Sequence, residues 1–451
     1  MTDQKLLQVF WRSFSRKEQK IFGCGALIAT CLIIALTFST LFMKPYLHPI
    51  STYHESVAQV MSVAVSIGKS FHQSAAVNRS IIRSWSNSRS DVYEISGDVR
   101  LVHGRRSSTI FVDSPIVINN NASGWTLKPY ARKFDKVAMS KVSSLTLRHA
   151  IPMPNDCDKT ARSSTPAIVF STGGYVGNHF HAFTDILLPL YSTSVRFSRD
   201  VILLMLDGSP SWAHKYKNIL DRLSQHNIIF VHEPENRDRV FCFSRLIVGL
   251  KANEEELMTD ERSMPEFTKL VRSAYSLERG AVNHSKMIVP KMLVVCRRRG
   301  RRLVNRAEVA RVAQGLGFEV ALREMGEEVA EAARLVNGFD VMVAVHGAGL
   351  TNMVFLPQGA VVVQVVPYGL HWIAQRCFEA PARSMKLRYL AYEAGINESS
   401  LGNVTNPDTV SRQGWGAFKA LYLDGQDLRV DLGRFRGTLM KARELLLADK
   451  K

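Results

Sequence analysis

Apolar positions along this chain fall into three regimes. The first is Ile21 to Met43, IFGCGALIATCLIIALTFSTLFM, which runs without a charge. As a helix it would reach about 34 Å, enough for a hydrocarbon core of about 30 Å, so it predicts a transmembrane signal-anchor at 21–43. The second, 44–95, is Ser-rich and weakly patterned (HQSAAVNRS, RSWSNSRS) and predicts a stem. Short β-like runs, STIFVDSPIVI and GWTLKPYARK, then continue between Gly, Asn and Pro turns to about 150.

The third regime alternates strand and helix. AIVFS from Ala167 reads as a strand, 178–194 as a helix, VILLML (201–206) as a strand and 212–226 as a helix. IIFVH (228–232) and VFCFSRLIVGL (240–250) are strand-like, and a helix falls near 264–278. The rhythm restarts with strand 292–296, a helix capped by Asn305 and running to Gly315, strand 318–322, helix 326–337, strand 340–345 and strand 360–366. Such alternation predicts parallel α/β layers. Two runs of it predict two Rossmann-like domains facing a cleft, 96–255 and 256–451, with one larger α/β domain as the competing arrangement.

Charge and cysteines refine the setting. The net charge of +18, from 58 Lys plus Arg against 40 Asp plus Glu, favours an anionic partner. Lys5, Arg12, Arg16, Lys17 and Lys20 lie in the 1–20 tail, ahead of the span. The positive-inside rule therefore leaves that tail cytoplasmic and the body translocated. This topology argues against nucleic acid, and no aromatic-interleaved basic motif appears. Glycosylation sequons at Asn78, Asn121, Asn283, Asn397 and Asn403 fit a lumenal body. Cys157, Cys242, Cys296 and Cys377 allow three full pairings there; Cys296 and Cys377 serve equally well as buried thiols.

Three constellations could carry chemistry. His346-Gly347-Ala348-Gly349 follows a strongly apolar strand and precedes a helical pattern, where backbone N–H groups and a His donor suit a phosphate. Arg297, Arg298, Arg299, Arg301, Arg302 and Arg306 follow strand 292–296. One or two of these facing the cleft could clamp a diphosphate, the rest forming a solvated basic loop. In GGYVGNHFHAFTD, Phe180, Phe183, Leu187 and Leu190 make a buried stripe, and His181 with Asp185 an i,i+4 pair. Either of the pair could deprotonate an acceptor hydroxyl, or both could fix the helix to a loop. Asp156-Cys157-Asp158 has the form of a metal-binding DxD, but it sits in a polar loop after Pro152 and Pro154, so no metal site is expected.

GGYVGNHFHAFTDILLPLY, CRRRGRRLVN, VMVAVHGAGLTNMVFLPQGAVVVQVVPYG and ESSL…GWGAFKALYLDGQDLRVDLGRF, in that order over about 150–440, resemble glycosyltransferase family 61. The resemblance is to the plant enzymes that decorate xylan with arabinofuranose or xylose. It implies a type II Golgi protein with a GT-B-like fold, a UDP-sugar donor, a polysaccharide acceptor and inversion without a required metal or other cofactor. The family's paired arginines fall on Arg297 and Arg301, ahead of Leu303 and Asn305. Its HGA loop falls on His346, Gly347 and Ala348, and its Tyr/Phe-His-x-Phe-x-Asp segment on Phe180, His181, Phe183 and Asp185. Ala182 stands where the xylan enzymes have Glu, Thr184 where they have Asn, Cys296 where they have Ser, and HGAGLTN replaces HGAAMTH. These departures keep open a different donor or acceptor, a transferase acting on protein-linked glycans, or a non-catalytic member that binds glycan or nucleotide sugar.

Overall fold

The computed structural model describes residues 80–448, apart from 106, 114–124, 154–156, 158–161, 254–262, 284, 286 and 403–406. The predicted span at 21–43, most of the predicted stem, Asn78, Asn121, Asn403, Asp156 and Asp158 lie outside those residues. Among the described residues no helix is long and apolar enough to cross a membrane.

Two sheets organise the chain into a mixed α/β fold. The strands of the first are β1 (Ile81–Ser86), β2 (Asp91–His103), β3 (Ser108–Val112), β4 (Trp125–Leu127), β5 (Leu145–His149), β6 (Arg162–Ser163), β7 (Ala167–Ser171), β8 (Ile202–Leu206), β9 (Ile229–Phe230) and β10 (Val240–Val248). Their order is β4-β5-β3-β2-β10-β7-β8-β9, with β1 on β2 and β6 on β10. The part from β10 to β9 is parallel, while β2 pairs antiparallel with β10. This sheet is thus mixed, where alternation alone predicts parallel layers. Strand β1 and the start of β2 occupy 81–95, a stretch its serines assign to a stem. The alternation is hidden because β1 is largely exposed and presents Ser84 and Ser86 to solvent.

The second sheet is parallel throughout: β11 (Lys291–Cys296), β12 (Glu319–Glu324), β13 (Val341–Val345), β14 (Val361–Val366) and β15 (Arg388–Glu393), ordered β12-β11-β13-β14-β15. Strands β13 and β14 are buried at every position, which explains their unbroken apolar runs. Helices Arg306–Gly315 and Val329–Asn337 make the first two crossovers. Strand order reverses between β11 and β13, and ligands in open parallel sheets bind outside the carboxyl ends of strands at such a switch point. One continuous buried cluster includes Ile168 and Leu203 of the first sheet with Val294, Val343 and Val363 of the second.

Two local expectations change. The region 212–226 forms helices Pro210–Lys215 and Lys217–Leu223, meeting at Tyr216. Asn305 stands at its cap position, but its side chain makes no cap bond; instead it holds the backbone of Val430 through Nδ2 to O (2.9 Å) and N to Oδ1 (3.2 Å). Cys157 and Cys242 form a disulfide, and Cys296 and Cys377 lie outside any disulfide.

Candidate active site

The switch point opens on a cavity of about 580 Å³. His181, Arg301, His346, Gly347 and Ala348 all line it, so three sequence-distant motifs meet there. Three π-helical segments border it or support it: Ala182–Leu187, Gln375–Glu379 and Lys419–Asp424. A π turn shifts side chains around the helix axis by one extra residue per turn, a distortion often found at functional sites.

Gly347 is the meeting place of the two candidate arginines. Its φ is +141°, a region that favours glycine, and a Cβ there would lie 2.6 Å from Arg297 Nη1 and 3.2 Å from Arg301 Nη1. Arg297 is anchored by Nε donating to Gly300 O at 2.9 Å. Arg301 itself has φ +52°, held by its N–H donating to Gln426 O at 2.7 Å. Burial, then the charge of Arg297, pushes the Arg301 pKa down to about 10; burial also lowers that of Arg297. Neither forms an ion pair among the described residues, and the Arg301 Nε is buried without a hydrogen-bond partner. The charge of Asp424 acts on both without pairing with either, and two partly desolvated cations side by side make a site for an anion. Of the other four arginines, Arg298 and Arg302 pair at the surface with Glu324 and Asp427, and Arg306 opens the helix Arg306–Gly315.

His346 stands beside them in the neutral state. Burial, then the nearby charges of Arg301 and Arg297, lowers its pKa to about 3. Tyr389 donates to Gln364 Oε1 and Gln364 Nε2 donates to His346 Nδ1, each at 2.8 Å. That relay makes Nδ1 an acceptor and leaves the proton on Nε2 as a donor for a ligand. The polar exception in the all-buried β14, Gln364, therefore sets a tautomer. The helical pattern after Gly347 takes the form of a 3₁₀ helix, Ala348–Phe355. Gly349 packs back against Val295 and does not line the cavity.

Across the cavity, His181 Nδ1 meets Asp185 Oδ2 at 3.0 Å. Asp185 is wholly buried and does not reach the cavity. Its Oδ2 also accepts from Tyr130 OH (2.9 Å), and its Oδ1 from Arg89 Nη2 (3.1 Å) and Thr184 Oγ1 (3.1 Å). Burial works to raise the Asp185 pKa, but the bond and charge of His181, with Arg132 and Arg89, hold it below the ordinary carboxylate range. Of the two candidate bases, then, His181 lines the cavity and Asp185 is buried behind it. Gly174 has a local reason: a Cβ there would strike the Tyr130 ring at 2.2 Å, and Tyr130 OH both accepts from Tyr175 N (3.0 Å) and donates to Asp185. Phe183, Leu187 and Leu190 are buried as the stripe predicts, and Phe180 is partly buried against Phe378 at 5.4 Å.

Two departures find structural places. Ala182 is buried in the core and Thr184 supports Asp185, so neither faces the cavity. Sequence reasoning did not single out Arg89, Tyr130, Gln364 or Gln426 for the site. Their partners lie far away in the chain, and only the odd polar residue inside VVVQVV offered a signal. Among the sequons, Asn283 and Asn397 are described and exposed.

Comparison with known proteins adds a family. The model described as Glycosyltransferase 61 matches residues 179–363, which include all eight site residues singled out from the sequence. An alpha-1,3-arabinosyltransferase of Oryza sativa subsp. japonica is 37% identical over 79% of this chain and 64% of its own length. A second alpha-1,3-arabinosyltransferase of that organism is 34% identical over 82% of this chain and 65% of its own. A beta-1,2-xylosyltransferase of the same source is 36% identical over 80% of this chain and 83% of its own. The chain thus spans a little under two thirds of the two arabinosyltransferases.

Proposed function

This chain belongs to glycosyltransferase family 61, and from that footing we propose that it transfers a pentose, arabinofuranose or xylose, from a UDP-sugar to a β-1,4-xylan or related cell-wall chain. The observation that carries the reading is the pair of half-buried guanidiniums against Gly347 at the switch point, neither in an ion pair among the described residues. In this reading the diphosphate lies on Arg297, Arg301 and the His346 Nε2–H, with Gly347 and Ala348 admitting it closely.

The acceptor hydroxyl approaches His181 Nε2, which takes its proton as the oxygen attacks the anomeric carbon from the face opposite UDP. The carbon–oxygen bond to UDP breaks and the diphosphate keeps the electron pair, neutralised by the two arginines. Asp185 holds the imidazole and stabilises the imidazolium that forms. Such a single displacement inverts the anomeric carbon. The two sheets would be the halves of a GT-B-like enzyme, with the 21–43 anchor placing the body in the Golgi lumen. The Cys157–Cys242 disulfide supports an oxidising compartment.

Arg297→Ala and Arg301→Ala should each lower UDP-pentose turnover on xylan oligomers by about a hundredfold or more, with circular dichroism unchanged. Full activity in both would sink the assignment. Protease protection of a C-terminal tag in sealed Golgi vesicles tests the topology; digestion without detergent would overturn it.

A further inference from the structure

Large apolar side chains left exposed by a folded chain need a reason when they gather around one opening. Here four do, all lining the cavity: Trp372 (47% exposed), Trp415 (57%), Phe134 (47%) and Val137 (61%). Trp372 belongs to the β14–β15 connection, and Trp415 to the helix Trp415–Phe418. Phe134 and Val137 lie between β4 and β5 of the other sheet. The cavity mouth is therefore walled by apolar side chains from both sheets.

The tryptophan wall is built firmly. Trp372 and Trp415 have ring centroids 6.5 Å apart; Trp415 stacks on Phe418 at 5.9 Å, and Phe418 on Tyr422 at 5.0 Å. Phe418 and Tyr422 pack with Val366, Leu370 and Ile373 in a cluster of their own. This wall is also electrically neutral, because Lys419 pairs with Asp424 at 2.5 Å. Arg301 lines the cavity beside Gly347, with Arg297 behind that glycine. One opening thus combines a cationic site at Gly347 with a tryptophan wall whose own charges are paired.

We propose that Trp372 and Trp415, faced by Phe134 and Val137, seat the sugar rings of a β-1,4-linked pentose chain and so position the acceptor for transfer. A pyranose ring presents an apolar C–H face and a polar rim, which suits a flat neutral aromatic surface with water at its edges. A nucleoside has one base to stack, whereas four exposed apolar side chains around one opening provide for successive rings of a chain running in from solvent. This assignment rests on the transferase reading and adds to it the residues that select the acceptor.

Titration of the full-length protein in detergent micelles with xylohexaose, and separately with UDP, tests it. The double variant Trp372→Ala/Trp415→Ala should bind xylohexaose about tenfold more weakly, the effect of losing ~60 Å² of buried apolar ring face. Its UDP affinity should stay within about twofold, and Trp372→Phe/Trp415→Phe should recover most of the loss. In transfer assays the alanine variant should raise the KM for xylohexaose and leave that for the UDP-sugar. Unchanged xylohexaose binding overturns the proposal, as does a matching loss of UDP binding, which would place the base on the wall. Wild-type protein that binds UDP but no xylohexaose also overturns it while leaving a transferase standing; loss of UDP binding and turnover altogether would instead remove the transferase reading.

Discussion

Gly347 carries more geometry than its size suggests, because two guanidiniums occupy the space of its missing side chain. Gly347→Ala would add a Cβ into that space and strain a backbone at φ +141°. We expect about 1–3 kcal/mol of lost stability and a loss of UDP affinity beyond about tenfold, measured by urea unfolding and by titration. His181→Gln should lower kcat by about 10²–10⁴ while leaving UDP binding in place; equal kcat would remove His181 as the base. Asp185→Asn differs in kind, since it leaves Arg89 facing a neutral group inside the core, and should cost about 3 kcal/mol in unfolding as well as activity. Spacing made the His181–Asp185 pair legible in the sequence, as it did the small-residue loop at 346–349. The division of labour was not legible, because the burial of Asp185 depends on Arg89 and Tyr130 arriving from other parts of the fold.

At the level of elements, the arginine loop is held by a segment that follows it by more than a hundred residues. Gln426 O accepts from Arg301 N, Leu428 N donates to Arg302 O, Leu428 O accepts from Val304 N, and Val430 bonds both ways with Asn305. Asp431 then caps the helix Leu432–Leu447, accepting from Arg434 N at 2.8 Å, and that helix packs on Arg306–Gly315. Asn305→Ala should therefore lower stability by about 1–3 kcal/mol and weaken UDP binding although Asn305 touches no ligand. Unaltered UDP affinity would show the loop to be self-supporting. The buried strands β7, β11, β13 and β14 were readable as apolar runs bounded by glycine or polar turns. Strand β1 was not, since an exposed edge keeps no alternation, and β15 was missed among the mixed residues after Lys386.

For the whole molecule, acid should be the revealing stress. His346 and His179 have pKa values lowered to about 3 and about 4, in both cases first by burial. Each takes up a proton on unfolding below the ordinary value of 6.5, so stability falls as pH drops from 6.5 towards those values, by up to about 1.4 kcal/mol per pH unit for each proton. In phosphate-free buffer the urea midpoint should decline more steeply for wild type than for His346→Gln over that window. Parallel slopes would mean that His346 is charged in the folded state. Asp185 acts lower still: its contribution is whole above the carboxylate value of 3.8 and is lost as pH falls through its depressed pKa.

The segment 426–431 also sets an order of events during synthesis. A ribosome that has delivered strands β11 to β15 has made both arginines, the glycine between them and His346. It has not yet delivered the backbone partners that hold Arg301 in its left-handed turn. Nascent chains arrested before Gln426 should have both sheets largely made and no nucleotide-binding competence, which a UDP-agarose pull-down of stalled complexes would reveal.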